Sequence, residues 1–74
     1  MKVWEKIKIE AEKQNYKLDT LEKVRDWMYA YRCIPCDMND EFKIINKETM
    51  SILCEEFEAD CYSCLCKYLE LDIA

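Results

Sequence analysis

The sequence predicts a small, mainly α-helical protein, a single domain over residues 1–74, with an α+β alternative that adds one short β-hairpin. Three observations predict it: two N-terminal segments have helical apolar spacing, Asp60 can cap a last helix, and cysteine pairs flank the region between these helices. Domains of about 70 residues bury little apolar surface and commonly need a disulfide, a metal or a partner chain. We therefore expect two N-terminal amphipathic helices and a C-terminal helix, stapled by a structural zinc site.

The two N-terminal helices are predicted from the recurrence of apolar residues. In residues 2–14 the apolar face consists of Val3, Ile7 and Ala11. In the next helix the apolar residues recur every three or four positions and are Leu21, Val24, Met28 and Tyr31. Asp19 or Thr20 can cap this second helix, because a short polar side chain satisfies free amides of the first turn. It should end before Pro35, since the residue before a proline avoids helical angles.

The middle of the chain is harder to assign. Residues 33–41 are typical of a turn-rich linker. Residues 41–54 fit two patterns. A period of two predicts a hairpin turning at Asn46 and Lys47, with apolar positions Phe42, Ile44, Met50, Ile52 and Cys54. A period of 3.6 predicts a helix whose apolar positions are Met50, Leu53, Cys54 and Phe57. The β-branched residues of this stretch favour the hairpin. Asp60 should cap a last helix that runs to about Leu71.

Charge is unevenly divided along the chain, whose formal net charge is −5. Residues 1–36 carry eight Lys/Arg and six Asp/Glu, a net +2, whereas residues 37–74 carry three and ten, a net −7. A surface of that sign repels phosphate backbones and attracts basic ones. We therefore expect no direct nucleic-acid binding, and a basic protein as partner. The candidate partner-binding residues form two acidic runs, Glu55, Glu56, Glu58 and Asp60, and Asp37, Asp40 and Glu41.

Neither a membrane span nor a secretory signal is predicted. The chain has no run of about 18 apolar residues. Its first 14 residues alternate charged and single apolar residues, unlike the apolar segment of a signal peptide. We expect a cytoplasmic protein of the host cell cytosol. In that reducing compartment the six cysteines are expected to be metal ligands or core thiols before disulfides.

Two C-x2-C pairs give the strongest motif of the sequence. Cys33 and Cys36 form the first pair and Cys61 and Cys64 the second. Two such pairs suit the tetrahedral coordination of one structural Zn²⁺. On a helix, residues three apart share a face, so both thiols of the second pair can reach one ion. Core thiols without metal, or disulfides, remain alternatives.

The other two cysteines are predicted to play different roles. Cys66 is two positions after Cys64, so on a helix it points to the opposite side and is expected to pack as a small buried residue. Cys54 is an alternate ligand. It could displace Cys33 or Cys36 at the ion if the chain breaks between residues 58 and 60.

Catalysis is not expected of this sequence. The chain has no histidine, the usual base for a cysteine nucleophile, and no glycine for a phosphate-binding loop. Four thiolates would also close a zinc ion to water, whereas a catalytic zinc keeps one position open. We therefore predict that the protein is not an enzyme.

Three motifs resemble a group of small cysteine-rich, zinc-binding proteins encoded by phages and prophages of Firmicutes. They are the segment 20–27 (TLEKVRDW), the Cys33-Ile34-Pro35-Cys36 motif, and the Cys61-Tyr62-Ser63-Cys64 motif followed by Tyr68-Leu69. The similarity covers about half of the chain. In that group one metal ligand often comes shortly before the final C-x2-C motif, and Cys54 is at this position here. The residue after the final C-x2-C motif is often aromatic in that group, but it is Leu65 in this chain.

The resemblance carries an expectation about function. Some similar small acidic phage proteins are anti-CRISPR inhibitors. The resemblance therefore implies a protein that binds and inhibits a basic host nuclease, most specifically a type II CRISPR effector, by occluding its nucleic-acid-binding surface. The alternative is a zinc-module transcriptional regulator, or a small adaptor protein, of phage origin.

Overall fold

The computed structural model describes residues 1–31, 34–58 and 60–73. Within these ranges the chain forms helices without a β-strand, confirming the mainly helical class. The helices are α1 (Val3–Glu12), α2 (Leu21–Tyr31), α3 (Pro35–Phe42), α4 (Lys47–Phe57) and α5 (Cys61–Glu70). An isolated antiparallel bridge pairs Lys2 with Asp72, so the two ends of the described chain meet. No helix of these ranges is long and apolar enough to cross a bilayer.

Helix α5 lies at the centre of the fold and packs against all four other helices. Its Leu65, Tyr68 and Leu69 are fully buried. The buried apolar side chains of the described chain are Val3, Ile7, Ala11, Leu18, Val24, Trp27, Met28, Met38, Met50, Leu53, Cys64, Leu65, Tyr68 and Leu69. Because they form one cluster, the helices are packed on a single hydrophobic core.

The sequence-based predictions for α1, α2 and the start of α5 are largely confirmed. The predicted apolar face of α1 is buried, and so are Val24 and Met28 of α2, but Tyr31 at the end of α2 is exposed. Thr20 is the cap of α2, since its Oγ1 accepts a hydrogen bond from the backbone N–H of Lys23 (3.2 Å). Asp60 caps α5 as predicted, by accepting from the backbone N–H of Ser63 (3.0 Å).

The preferred hairpin for residues 41–54 is wrong. Residues 47–57 form α4, which begins after Asn46, whose Oδ1 accepts from the backbone N–H of Thr49 (2.7 Å). The core lies on one side of this segment, so burial follows the helical period. Met50 and Leu53 are buried, whereas Ile52, an inward position of the hairpin, is 61% exposed. Tertiary burial therefore outweighs the β propensity of the isoleucines and threonine.

The predicted linker after Cys33 is also partly wrong, because residues 35–42 form α3. Pro35 occupies the first helical turn, where its missing N–H costs no hydrogen bond. Lys43 then ends the helix in the left-handed region (φ 53°). The buried side chain of Met38 anchors α3 on the core, and a polar linker would lack that contact.

A buried asparagine holds α3, the start of α4 and α5 together. The Asn39 side chain donates to the Ile45 carbonyl (2.9 Å) and accepts from the Ile45 backbone N–H (2.9 Å). The same Oδ1 accepts from the hydroxyl of Tyr68 (3.1 Å) on α5. Burial raises the pKa of Tyr68, which keeps this hydroxyl protonated as the donor. The turn between α3 and α4 is therefore fixed to the central helix.

Removal of the Asn39 amide should destabilise the protein strongly. Asn39→Ala leaves two backbone groups of Ile45 and the Tyr68 hydroxyl without their partner, at a cost of about 3 kcal/mol. Tyr68→Phe removes one of these hydrogen bonds and leaves the others, at a cost of about 1 kcal/mol. Urea unfolding followed by circular dichroism measures both variants. An Asn39→Ala protein no less stable than Tyr68→Phe would contradict this role.

Glu58, between α4 and α5, has strained backbone angles (φ 50°, ψ −114°). Glycine adopts such angles without a Cβ clash, whereas other residues incur a strain of roughly 1–3 kcal/mol. We expect Glu58→Gly to be about 1 kcal/mol more stable than Glu58→Ala. Both variants remove the same carboxylate, so their difference in melting temperature reports the backbone alone. Equal stabilities would show that the angles cost nothing.

Candidate functional site

Two thiols from neighbouring helices line one cleft. Cys36 in the first turn of α3 and Cys54 near the end of α4 are both half-buried. They border a cavity of about 320 Å³ between the two helices, together with Met50 and Asp40. Burial raises the pKa of Cys36, and the neighbouring Cys54 thiol raises it further. Cys36 is therefore a protonated thiol near neutral pH when no cation is bound.

Helix α5 adds its C-x2-C pair to the same region. Cys64 is buried and Cys61 is exposed. Burial raises the pKa of Cys64 to about 11, with further contributions from charge on Cys54, Cys36 and Cys61. We call the four cysteines of three helices that interact electrostatically in this region the thiol cluster: Cys36, Cys54, Cys61 and Cys64.

The thiol cluster contains three of the four preferred zinc ligands. Cys33, the fourth, lies outside the described residues. Cys54, the alternate ligand, lies beside Cys36. The helical alternative for this segment placed Cys54 on one apolar face with Met50, one turn earlier. The break that Cys54 needs in order to approach the α5 pair also exists, since α4 ends at Phe57 and α5 begins at Cys61.

The thiol cluster has the ligand chemistry of a zinc site, but its side chains are too far apart to coordinate an ion as they stand. Thiolates are soft ligands that select zinc, and binding displaces their protons. Among the residues with described structure, however, no three cysteine or carboxylate side chains are grouped closely enough to hold a metal ion. An ion would therefore have to draw these side chains together, or recruit Cys33.

Cys66 is separate from this cluster. It is half-buried and borders a small cavity of about 120 Å³ on another side of α5, with Leu21, Arg25, Leu69 and Glu70. The prediction that Cys66 points to another side of the helix from Cys64 is confirmed, but its side chain is half-buried and not fully buried.

An acidic surface lies next to the thiol cluster. The acidic face, as we name it, consists of Asp37, Asp40, Glu41, Glu55, Glu56, Glu58 and Asp60, all of them exposed. Asp40 of α3 and Glu55 of α4 border the same cavity as Cys36 and Cys54, so the two acidic runs adjoin there. The backbone N–H of Ser63 and then its hydroxyl lower the pKa of Asp60, which keeps this carboxylate ionised.

The two halves of the chain differ in how many of their charged side chains form ion pairs. In α1 and α2 lysines pair with acids one helical turn away in the chain, for example Lys8 with Glu12 (3.2 Å) and Lys23 with Asp19 (2.8 Å). Glu10 of α1 pairs with two lysines, and the hydrogen bond from Lys13 lowers its pKa. By contrast, six acids of the acidic face have no ion pair with any residue of the described ranges. These six are Asp37, Asp40, Glu55, Glu56, Glu58 and Asp60.

Comparison with known proteins does not assign the chain to a family. No protein-family model matches it, and no curated protein or solved structure matches it. The function is therefore argued from the residues and their arrangement.

Proposed function

We propose that the protein is a small binding protein whose acidic face docks on a basic, nucleic-acid-binding surface of a host nuclease and inhibits it by occlusion. The observation that carries the proposal is the unpaired negative charge of Asp37, Asp40, Glu55 and Glu56 on α3 and α4, beside N-terminal helices whose lysines are paired. Unpaired surface charge gives an electrostatic field that speeds the approach of an oppositely charged partner.

A type II CRISPR effector is the most specific form of this partner. Such effectors hold nucleic acid in positively charged channels, where the protein contacts the backbone and not the sequence. An acidic domain can occupy such a channel because it presents negative charge, as nucleic acid does. The choice of this nuclease class comes from the resemblance to small phage proteins, and the acidic face is compatible with it.

Within this proposal, one structural Zn²⁺ is held by four cysteines of the set Cys33, Cys36, Cys54, Cys61 and Cys64. The ion would tie α3, α4 and α5 together next to the acidic face. It would stabilise a fold with a small core and keep the acidic carboxylates in a fixed arrangement. No catalytic role follows for the thiols.

The alternative of a transcriptional regulator that binds nucleic acid has less support. Its basic residues would come from α1, α2 and their ends, where Lys6, Lys8 and Lys13 are paired with acids of α1. Paired lysines do not form a continuous stripe along a phosphate backbone. Retardation of a DNA or RNA duplex in a gel at low salt would favour the regulator.

Metal titration tests the zinc site. We expect one Co²⁺ per chain with thiolate-to-metal charge-transfer absorption, displaced by Zn²⁺. Cys36→Ser and Cys64→Ser should each weaken binding at least about tenfold, as loss of a ligand requires. Cys66→Ser is the matched control and should bind as the native chain does.

The same titration identifies the remaining ligand. Cys54→Ser and Cys33→Ser are compared directly, and the variant with the greater loss of affinity names the ligand. Absence of charge-transfer absorption in the reduced native protein, or native-like absorption in Cys64→Ser, would refute the zinc site.

Charge reversal tests the acidic face. The triple variant Glu55→Lys/Glu56→Lys/Glu58→Lys should weaken binding to a purified type II effector at least about tenfold, since repulsion replaces attraction. Binding of the native chain should also fall with rising salt, because surface charges are screened beyond about 8 Å at physiological ionic strength. Surface plasmon resonance and a DNA-cleavage assay measure both effects.

The matched control reverses three exposed acids elsewhere, Glu12→Lys/Glu22→Lys/Glu70→Lys, with the same change in net charge. It should retain more affinity than the acidic-face variant. If both triple variants bind alike, then net charge and not the acidic face drives binding. If the native chain neither binds nor inhibits the effector, the proposed target is wrong.

A further inference from the structure

Two exposed tyrosines form a fixed pair across α2 and α5. The rings of Tyr29 and Tyr62 lie 5.6 Å apart, edge to face at 84°. Tyr29 is 61% exposed and Tyr62 is 48% exposed. Single exposed aromatic residues are ordinary on protein surfaces, but here two residues from different helices contact each other and stay open to solvent. Aromatic rings held in this way supply contact area at low entropic cost.

Both rings stand on well-supported backbone. Tyr62 is in the first turn of α5, two residues after the cap Asp60, and α5 packs on α2. Tyr29 follows Met28, which is fully buried. The pair is therefore preorganised by the core and does not depend on a loop.

Carboxylates flank the pair on both helices. Asp26 lies one turn before Tyr29 on α2, with a side chain that is 76% exposed. Asp60, which belongs to the acidic face, is two residues before Tyr62. Arg25, one turn before Tyr29, is compensated: its Nε lies 3.7 Å from Asp26, and it borders the small cavity with Glu70. With two exposed carboxylates and one arginine that Asp26 offsets, the named groups around the rings carry a net negative charge, which favours a cationic partner.

We infer that the Tyr29–Tyr62 pair is the apolar centre of the docking surface, and that it receives arginine side chains of a basic protein partner; the partner class rests on the proposed function. A guanidinium group stacks on an aromatic face and donates several hydrogen bonds to carboxylates at the same time. A lysine ammonium lacks the planar surface for stacking. Nucleic acid, whose bases also stack on aromatic rings, is repelled here by Asp26 and Asp60.

The variant Tyr29→Ala/Tyr62→Ala tests the docking surface. It should lose at least about tenfold in affinity for the purified effector, as expected for aromatic residues at the centre of an interface. Tyr31→Ala is the matched control: Tyr31 is 73% exposed, lies on the same helix and points about 200° away from Tyr29. It should change affinity less than about twofold, a surface-level effect. Circular dichroism checks that all three proteins fold alike.

A second measurement does not depend on the effector. Arginine and lysine nonapeptides are titrated separately into the ¹⁵N-labelled native chain. The arginine peptide should shift the resonances of Tyr29 and Tyr62 and bind more tightly than the lysine peptide. The double-alanine variant should abolish that preference.

The outcomes separate this inference from the proposed function. If the effector binds the double-alanine variant as well as the native chain, the inference is overturned and the proposed function stands. If the effector binds no form of the protein, the proposed target fails. The peptide titration then decides: an arginine preference at the pair supports the docking surface, and its absence overturns it. A homodimer that the double-alanine variant loses in sedimentation, or duplex RNA that shifts the two tyrosines, would also overturn it.

Discussion

The buried amide of Asn39 is the constraint on which the second half of the structure depends. Its hydrogen bonds to both backbone groups of Ile45 close the turn between α3 and α4, and its bond with Tyr68 fixes that turn to α5. The thiol cluster therefore lies on helices that this asparagine connects, without a covalent link between its cysteines. One asparagine organises the short helices because three polar groups around the core depend on it.

The helices differ in how their charges are paired, in addition to the difference in net charge between the two halves of the sequence. In α1 and α2 acids and bases alternate at helical spacing and pair with each other, so these helices present little net field. The acidic face of α3 and α4 lacks such partners among the described residues, apart from Glu41, and keeps its field. Its last two members are the strained Glu58 and Asp60, the cap of α5. Tyr62 of the tyrosine pair is in the first turn of α5, so the acidic face and the tyrosine pair meet at the start of this helix.

The candidate site was only partly predictable, and the reasons differ between residues. Cys61 and Cys64 share a face in any helix, so their joint role needed no tertiary knowledge. Cys54 lies beside Cys36 only if residues 47–57 are helical. The β propensity of this segment favours a strand, whereas the burial of its apolar residues favours a helix. The contact between Tyr29 and Tyr62 spans more than thirty residues, and no local pattern indicates it. It follows from the packing of α2 on α5.

The sequence by itself determined the amphipathic faces of α1 and α2, the cap of α5 and the acidic charge of the second half, since each depends on neighbours in the chain. Only the tertiary structure decided that α4 is a helix and that residues 35–42 form α3. In these segments the intrinsic preferences are weak, and burial of Met38, Met50 and Leu53 against α5 outweighs them. Burial of an apolar side chain contributes roughly 1.5–3 kcal/mol, more than the difference of about 1 kcal/mol between helix and strand propensities.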